Sequence, residues 1–186
     1  MKVIGFNGSP RKYGSTNLLI EQVLQGAKEK GAETKIYNLN DLSIKGCQSC
    51  YYCKEHETCV IKDDMQTLYS EILDADAIVL GTPLYMWQMS SQTKAFTDRL
   101  CAFLGTDFSS KAKGKKMVLV FTQGNPDPNI FQQYYESTAK MYKFLGFNVV
   151  DTILSYGNRT PDDTKGQTEL LEKAKVAGSY LVSYAS

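Results

Sequence analysis

Apolar positions along the chain switch between a strand-like and a helix-like period, and the switches mark the elements. Residues 2–6 form a short apolar run closed by Gly8-Ser9-Pro10, which predicts a strand and a turn. From Ser15, the residues Leu19, Ile20, Val23, Leu24 and Ala27 recur on one helical face, with Lys28 and Lys30 in the last turn and Gly31 as the stop. Residues 34–39 read as a second strand. Asp63, with Gln66 three residues on, reads as the N-cap of a helix through Leu73. Residues 77–80 are wholly apolar and end at Gly81-Thr82-Pro83, and a helix over about 91–104 follows. Residues 117–122 predict a fourth strand, and Ile130, Tyr134, Tyr135, Thr138, Met141, Tyr142 and Leu145 mark a helix stopped by Gly146. A fifth strand spans 147–156, and a last helix runs over about 164–184 with Leu170, Leu171, Ala174, Ala177 and Leu181 inward.

This alternation implies right-handed crossovers and a parallel sheet covered by helices on both faces, an α/β three-layer sandwich. The unbroken apolar runs 78–80 and 118–121 suit strands buried on two sides. In such a fold the ligand site lies beyond the carboxyl ends of the strands, where strand order reverses. That rule selects three loops, 8–17, 82–90 and 122–129. Neither a repeat nor a linker breaks the pattern, so residues 1–186 read as one domain. Residues 40–62 lack a period and form a cysteine-rich insertion too long for a routine connection.

Composition narrows the chemistry. Hydrophobic residues at 42% and charged residues at 22% are ordinary globular values, which excludes a disordered or low-complexity chain. A net charge of +1, from 21 basic and 20 acidic residues, gives no pull toward nucleic acid or membrane. The longest apolar run, 117–121, is far short of the roughly 20 residues of a membrane span, and residues 1–6 lack the features of a signal peptide. A soluble, cytoplasmic protein is expected. The single histidine, His56, excludes multi-histidine metal sites and reads as a solvated loop residue. Cys101 reads as a small helical core residue and the lysines at 111, 113, 115 and 116 as a solvated turn.

The first selected loop, Gly8-Ser9-Pro10-Arg11-Lys12-Tyr13-Gly14-Ser15-Thr16-Asn17, follows a buried strand and opens a helix whose free N–H groups face any anion there. Ser9, Ser15, Thr16 and Asn17 add donors and Arg11 a fork-shaped cation, so the loop is a phosphate cradle, unless Ser15 merely caps the helix. It contains neither a P-loop nor a dinucleotide fingerprint. The second loop places Pro83, Leu84, Tyr85, Met86 and the only tryptophan, Trp87, at a strand end, which suits a flat aromatic ligand or a protein contact.

These two stretches, with Lys94-Ala95-Phe96-Thr97-Asp98-Arg99 after the second, resemble the NAD(P)H-dependent FMN reductases of the flavodoxin-like superfamily over nearly the whole chain. The resemblance implies a five-stranded sheet of order 2-1-3-4-5 and noncovalent FMN. Its phosphate would lie on Ser9, Arg11, Ser15, Thr16 and Asn17, and its ring along Pro83, Leu84, Tyr85, Met86 and Trp87, with Thr122, Gln123 and Gly124 on the other side. NAD(P)H would be the donor, with a flavin, a quinone or another acceptor, and the protein would act without a general base of its own.

Cys47, Cys50, Cys53 and Cys59 fall within 13 residues, a spacing that suits one [4Fe–4S] cluster better than a structural zinc, which usually takes two separated pairs. It matches the spacing in iron-sulfur flavoproteins of the same superfamily, although Tyr51 and Tyr52 are bulky for a cluster-wrapping turn. Free thiols or a disulfide are the other readings. Three functions therefore stand: an FMN oxidoreductase, an iron-sulfur flavoprotein exchanging electrons with a ferredoxin-like partner, and a non-enzymatic FMN-binding module with structural zinc. The Met86-Trp87 loop and the cysteine segment suggest a homodimer or homotetramer.

Overall fold

The structure, a computed structural model, describes residues 1–56, 58–160 and 162–183. Six strands and six helices follow one another as β1 (Lys2–Asn7), α1 (Ser15–Glu29), β2 (Glu33–Asn38), α2 (Tyr52–His56), α3 (Met65–Asp74), β3 (Ala77–Tyr85), β4 (Gln88–Met89), α4 (Ser91–Arg99), β5 (Lys116–Thr122), α5 (Gln132–Phe144), β6 (Asn148–Ser155) and α6 (Thr168–Ser183). Five strands are parallel in the order β2-β1-β3-β5-β6, the flavodoxin-like order expected, and the two-residue β4 folds back antiparallel on the end of β3.

Successive side chains of a strand point to opposite faces, so each apolar run feeds two cores. Val3, Val79, Val118 and Val120 pack with Leu19, Ile20 and Val23 of α1 and with Ala174, Ala177 and Leu181 of α6. Ile4, Phe6, Ile78, Leu80, Leu119 and Phe121 pack on the other face with Met65, Leu68 and Ile72 of α3, Phe96 of α4 and Tyr135 and Tyr142 of α5. Truncating such a side chain to Ala costs about 2–5 kcal/mol, so the strand ends that carry the site rest on a stiff base. Helices α1 and α6 touch backbone to backbone: a Cβ added at Gly26 would lie 1.8 Å from the Lys175 carbonyl oxygen, and one at Gly178 1.8 Å from that of Val23. This contact fixes α1 against the sheet and, with it, the position of its N terminus.

Several boundaries differ from expectation for local reasons. Strand β3 runs through Pro83 to Tyr85, because β5 still pairs with Thr82 and Pro83 after β1 has ended opposite Gly81. A proline is tolerated there because the strand has lost one neighbour. Helix α4 stops at Arg99 and passes into a 3-10 turn (Leu100–Phe103), which leaves Cys101 half-buried in the turn. The last helix begins at Thr168, after a separate 3-10 turn (Asp163–Gly166), and the expected end at Tyr184 lies outside the described residues. Nor is the lysine turn merely solvated: Lys115 Nζ donates to the carbonyls of Leu73 (2.7 Å) and Ala75 (2.6 Å), and Lys116 Nζ to that of Leu181 (3.1 Å). Both cations thus satisfy carbonyls at helix C termini. No described helix is long and apolar enough to cross a membrane.

Candidate functional site

The three selected loops meet at the carboxyl edge of the sheet and enclose one cleft. Ser9, Arg11, Gly14, Ser15 and Thr16 line it from the first loop, Pro83, Leu84 and Tyr85 from the end of β3, and Thr122, Gln123 and Gly124 from the end of β5. Asn158 and Thr160, which follow β6, complete the lining and were not singled out from the sequence. Asn17, Met86 and Trp87 do not line it.

The first loop is held from beneath by Asn7. Its Oδ1 accepts from the Ser9 N–H at 3.0 Å, and its Nδ2 donates to Asn38 Oδ1 at 3.0 Å and Asn17 Oδ1 at 3.4 Å. Asn17 in turn donates to Glu21 Oε1 at 2.8 Å, so this side chain serves the loop's base rather than the cleft. Gly8 lies against the start of α4: a Cβ there would sit 1.8 Å from Thr93 Oγ1, and Ser90 Oγ donates to the Gly8 carbonyl at 2.6 Å. Thr16 and Thr122 hydroxyls, 2.8 Å apart, join the first loop to the third.

Helix α1 opens at Ser15 without a cap. Gly14 occupies the N-cap position, no side chain accepts from the first turn, and no acidic residue stands in it. Ser15 is therefore the first helical residue, not the cap, and its Oγ is buried with no hydrogen-bond partner. A buried hydroxyl left unmatched costs about 1–3 kcal/mol, so its position at the cleft marks a donor or acceptor that a ligand completes.

The second loop is a two-residue hairpin in which Tyr85 pairs with Gln88. Both central residues, Met86 (φ 46°) and Trp87 (φ 66°), are left-handed, a conformation that suits Asn-Gly and costs other residues about 1–2 kcal/mol each. Met86 is 86% exposed and Trp87 63%. Helix α5 backs this hairpin and the third loop together. Tyr134 accepts from the Met89 N–H at 2.8 Å, and Tyr135 donates its hydroxyl proton to Gln123 Oε1. Gln123 Nε2 donates to the carbonyls of Asn125 and Asp127 at 2.9 and 2.8 Å, so its side chain is spent on shaping the loop. Burial pushes the Tyr135 hydroxyl up to about 12, which keeps it a neutral donor across the physiological range.

The cleft lining contains no carboxylate, imidazole or thiol. Among the described residues it combines the hydroxyls and the guanidinium of the first loop with the apolar Pro83 and Leu84 of the second.

The cysteines behave differently. All five are free; Cys47 and Cys50 are exposed, Cys53 is half-buried and Cys59 buried. Among the described residues no three His, Cys, Asp or Glu side chains gather in a way that could hold a metal ion. The expected ligand set Cys47, Cys50, Cys53 and Cys59 is therefore not assembled, and the segment as folded does not fit a cluster. Burial pushes the Cys53 thiol up in the metal-free protein. Ser49 and Tyr51 are left-handed, and His56 is exposed, stacked on Tyr52 with ring centres 3.9 Å apart.

The neck of this loop, in contrast, is tightly fastened. Asp63 and Arg99, both almost wholly buried, pair through Oδ2 to Nη1 at 2.7 Å and Oδ1 to Nη2 at 3.1 Å. Arg99 Nη1 also donates to the Lys45 carbonyl at 2.9 Å, and the Lys45 N–H donates to Asp63 Oδ2 at 2.9 Å. Desolvation alone would raise the Asp63 carboxyl, but the Arg99 hydrogen bonds and the Lys45 N–H outweigh it and hold it below the usual range. The capping box expected at Asp63 and Gln66 is absent. Asp63 accepts from the Met65 N–H but gives most of its carboxylate to Arg99, while Gln66 Nε2 donates back to the carbonyls of Cys59 and Ile61.

Comparison with known proteins agrees with this geometry. Residues 1–158 match the family model described as NADPH-dependent FMN reductase. An iron-sulfur flavoprotein of Methanocaldococcus jannaschii is 33% identical over 183 residues, covering 96% of this chain and 94% of that protein. A solved flavone reductase superposes with a TM-score of 0.74 at 21% identity, covering 98% of this chain and 62% of that one. The NAD(P)H:quinone oxidoreductase from Methanothermobacter marburgensis superposes with a TM-score of 0.70 at 17% identity, covering 97% of this chain and 98% of that one. The structural likenesses speak for the fold, which is flavodoxin-like. With the family model spanning most of the chain and the iron-sulfur relative nearly all of it, this protein belongs to the NADPH-dependent FMN reductase family and is an oxidoreductase.

Proposed function

We propose that the cleft holds FMN noncovalently, with the phosphate at Ser9, Arg11, Ser15 and Thr16 and the ring beside Pro83, Leu84, Tyr85, Thr122, Gln123 and Gly124. The observation that carries this reading is the buried, unpartnered Ser15 Oγ at the uncapped start of α1, inside a cleft that also presents Arg11. A phosphate there meets free N–H groups, a hydroxyl and a guanidinium at once, which is how helix N termini take anions. Bound FMN supplies the redox chemistry, accepting a hydride from NAD(P)H and passing electrons to a flavin, a quinone or another small acceptor. The chain's own part is to bind and orient. Pro83 and Leu84 keep one wall apolar, Tyr135 sets the third loop through Gln123, and Asn158, whose N–H donates to the Gln123 carbonyl at 2.9 Å, completes the lining with Thr160.

Titrating the apoprotein with FMN and with riboflavin tests this. FMN is expected to bind stoichiometrically and riboflavin at least about 100-fold more weakly, the worth of two or three charge-assisted phosphate contacts. Equal affinities, or no uptake of either, overturn the reading.

A second reading concerns the cysteine loop. Four unpaired cysteines and full-length similarity to a protein named iron-sulfur flavoprotein favour a [4Fe–4S] cluster, which requires residues between the Lys45 and Ile61 neck to rearrange. Iron and sulfide analysis of protein purified without oxygen decides it. Four irons per chain support the cluster, and protein that carries no iron overturns it.

A further inference from the structure

We propose that Cys53 and Cys101 form a reversible dithiol–disulfide couple that staples the cysteine loop to the core when the protein is oxidised. The four loop cysteines do not gather, but one of them is brought to a fifth that lies outside the loop. Cys101 sits in the 3-10 turn (Leu100–Phe103) that follows α4. That turn is a fixed platform. Arg99, just before it, is paired with Asp63, the Tyr69 hydroxyl donates to the Arg99 carbonyl at 2.9 Å, and the Leu104 N–H donates to the Cys101 carbonyl at 3.2 Å. Helix α2 is tied to the same turn: Lys54 Nζ donates to the carbonyls of Cys101 at 2.9 Å and Leu104 at 2.7 Å. Cys53, the residue before Lys54, is half-buried and packs against the core. Burial raises its thiol most, and the Cys101 and Cys59 thiols, near enough to oppose a charge on it, raise it further.

Exposure and anchoring select the pair. Cys47 and Cys50 are exposed, whereas Cys59 is buried and Gln66 Nε2 holds its carbonyl at 3.0 Å. Cys53 and Cys101 are both half-buried, open to a small oxidant while Lys54 keeps their elements together. None of the five residues of α2 is fully buried, so the helix can settle into the spacing a disulfide asks for, Cα atoms about 4.4–6.8 Å apart. The oxidant is a low-molecular-weight disulfide. One cysteine thiolate attacks it, releasing one small thiol and leaving a mixed disulfide; the second cysteine attacks that bond and releases the other. Two cysteine S–H bonds and one external S–S bond are thus exchanged for one S–S bond in the chain and two small thiols, and two electrons pass to the oxidant. Closing the bond takes Cys53 from the loop and leaves it Cys47, Cys50 and Cys59. The loop then responds to redox state, fastened at α2 as well as at its neck when oxidised, as cysteines of reducing compartments do when they sense oxidation. The couple rests on neither the FMN reading nor the cluster reading.

The test treats the full metal-free chain with oxidised glutathione, alkylates the thiols that remain and maps linked peptides by mass spectrometry. A Cys53–Cys101 link is expected, reversed by dithiothreitol. The Cys47→Ser/Cys50→Ser chain keeps Cys53, Cys59 and Cys101, and its free thiols should fall from three to one. Adding Cys101→Ser should leave both remaining thiols free. Oxidation should also raise the urea midpoint of the parent chain and not that of the Cys101→Ser chain, because a closed loop restricts the unfolded state. Cys101→Ala repeats the comparison should the serine variant not fold. A Cys53–Cys59 link, glutathione retained on Cys53 or Cys101 without a link between them, or the same loss of thiols without Cys101 overturns the couple.

Discussion

The cleft and the cysteine loop are both dense in side chains of the kind that bind ligands, yet only the cleft brings them together. Its lining comes from the ends of β3 and β5 and the start of α1, each fixed by sheet pairing or by the α1–α6 contact. The four cysteines come from one irregular segment fastened at its neck, with the five-residue α2 as its one helix among the described residues. Convergence without a ligand follows from anchoring donors on separate rigid elements, because each contributes only one or two side chains and cannot relax away. A single segment must be organised by what it binds.

Breaking the neck gives the largest effect. Asp63→Asn keeps the shape but leaves the Arg99 guanidinium buried without its carboxylate, so unfolding in urea should show a loss of about 3–5 kcal/mol. The acid limb adds a sign. Because the folded Asp63 carboxyl titrates lower than the unfolded one, its stabilisation is complete above the ordinary Asp value of about 4 and is lost as pH falls through the lowered folded value. The variant should lose that part of the acid dependence. Unchanged stability would mean that the neck is not part of the core and that the loop hangs free at both ends.

The cleft is next. Arg11→Ala should weaken FMN binding by about 1–3 kcal/mol through loss of a charge-assisted contact. Ser15→Ala makes a sharper test because its two effects have opposite signs. Removing an unmatched buried hydroxyl should leave the apoprotein as stable or slightly more so, while FMN affinity falls by about 1 kcal/mol. Calorimetry of the apo and FMN-loaded forms reads both. A fall in apoprotein stability would show that Ser15 already has a partner and that the cleft is less prepared than it looks.

What the sequence revealed follows the same division. The doubly covered parallel sheet and the three loops were legible because unbroken apolar runs such as 78–80 and 118–121 announce a sheet buried on both sides, and topology then locates the site; the strand order came only with the family resemblance. Asn158 and Thr160 follow the end of the last strand, a loop whose polar sequence looks like any solvated connection until the fold brings it beside the third loop. Tyr134 and Tyr135 were visible as helical periodicity, but a packed ring and a hydrogen-bonding phenol look alike in a pattern of apolar positions. The Asp63–Arg99 pair spans 36 residues, and no local signal announces it; Asp63 therefore passed for a cap. Asn17 looked like a phosphate donor because its competing partners, Asn7 and Glu21, are defined only once the loop has closed. The cysteine spacing showed which chemistry the segment favours and not whether the thiols meet, since spacing fixes geometry only inside a regular element.

The smallest effect on stability is the one that bears most directly on the contrast between the two regions. Cys50 is exposed and free, so Cys50→Ser should change the stability of the metal-free protein by no more than about 0.5 kcal/mol. With the neck closed by Asp63 and Arg99, the change should not reach the cleft either, and FMN affinity and the flavin spectrum should be retained. Iron content is the quantity that should respond: if the segment rearranges around a cluster, the variant loses its iron and keeps its flavin. A variant that loses both would show that the segment reaches the ring and supports it, and the two regions would then be one site. A variant that keeps full iron would remove Cys50 from any ligand set and leave Cys47, Cys53 and Cys59, a set that the buried Cys59 and the exposed Cys47 can complete only if the backbone between them moves.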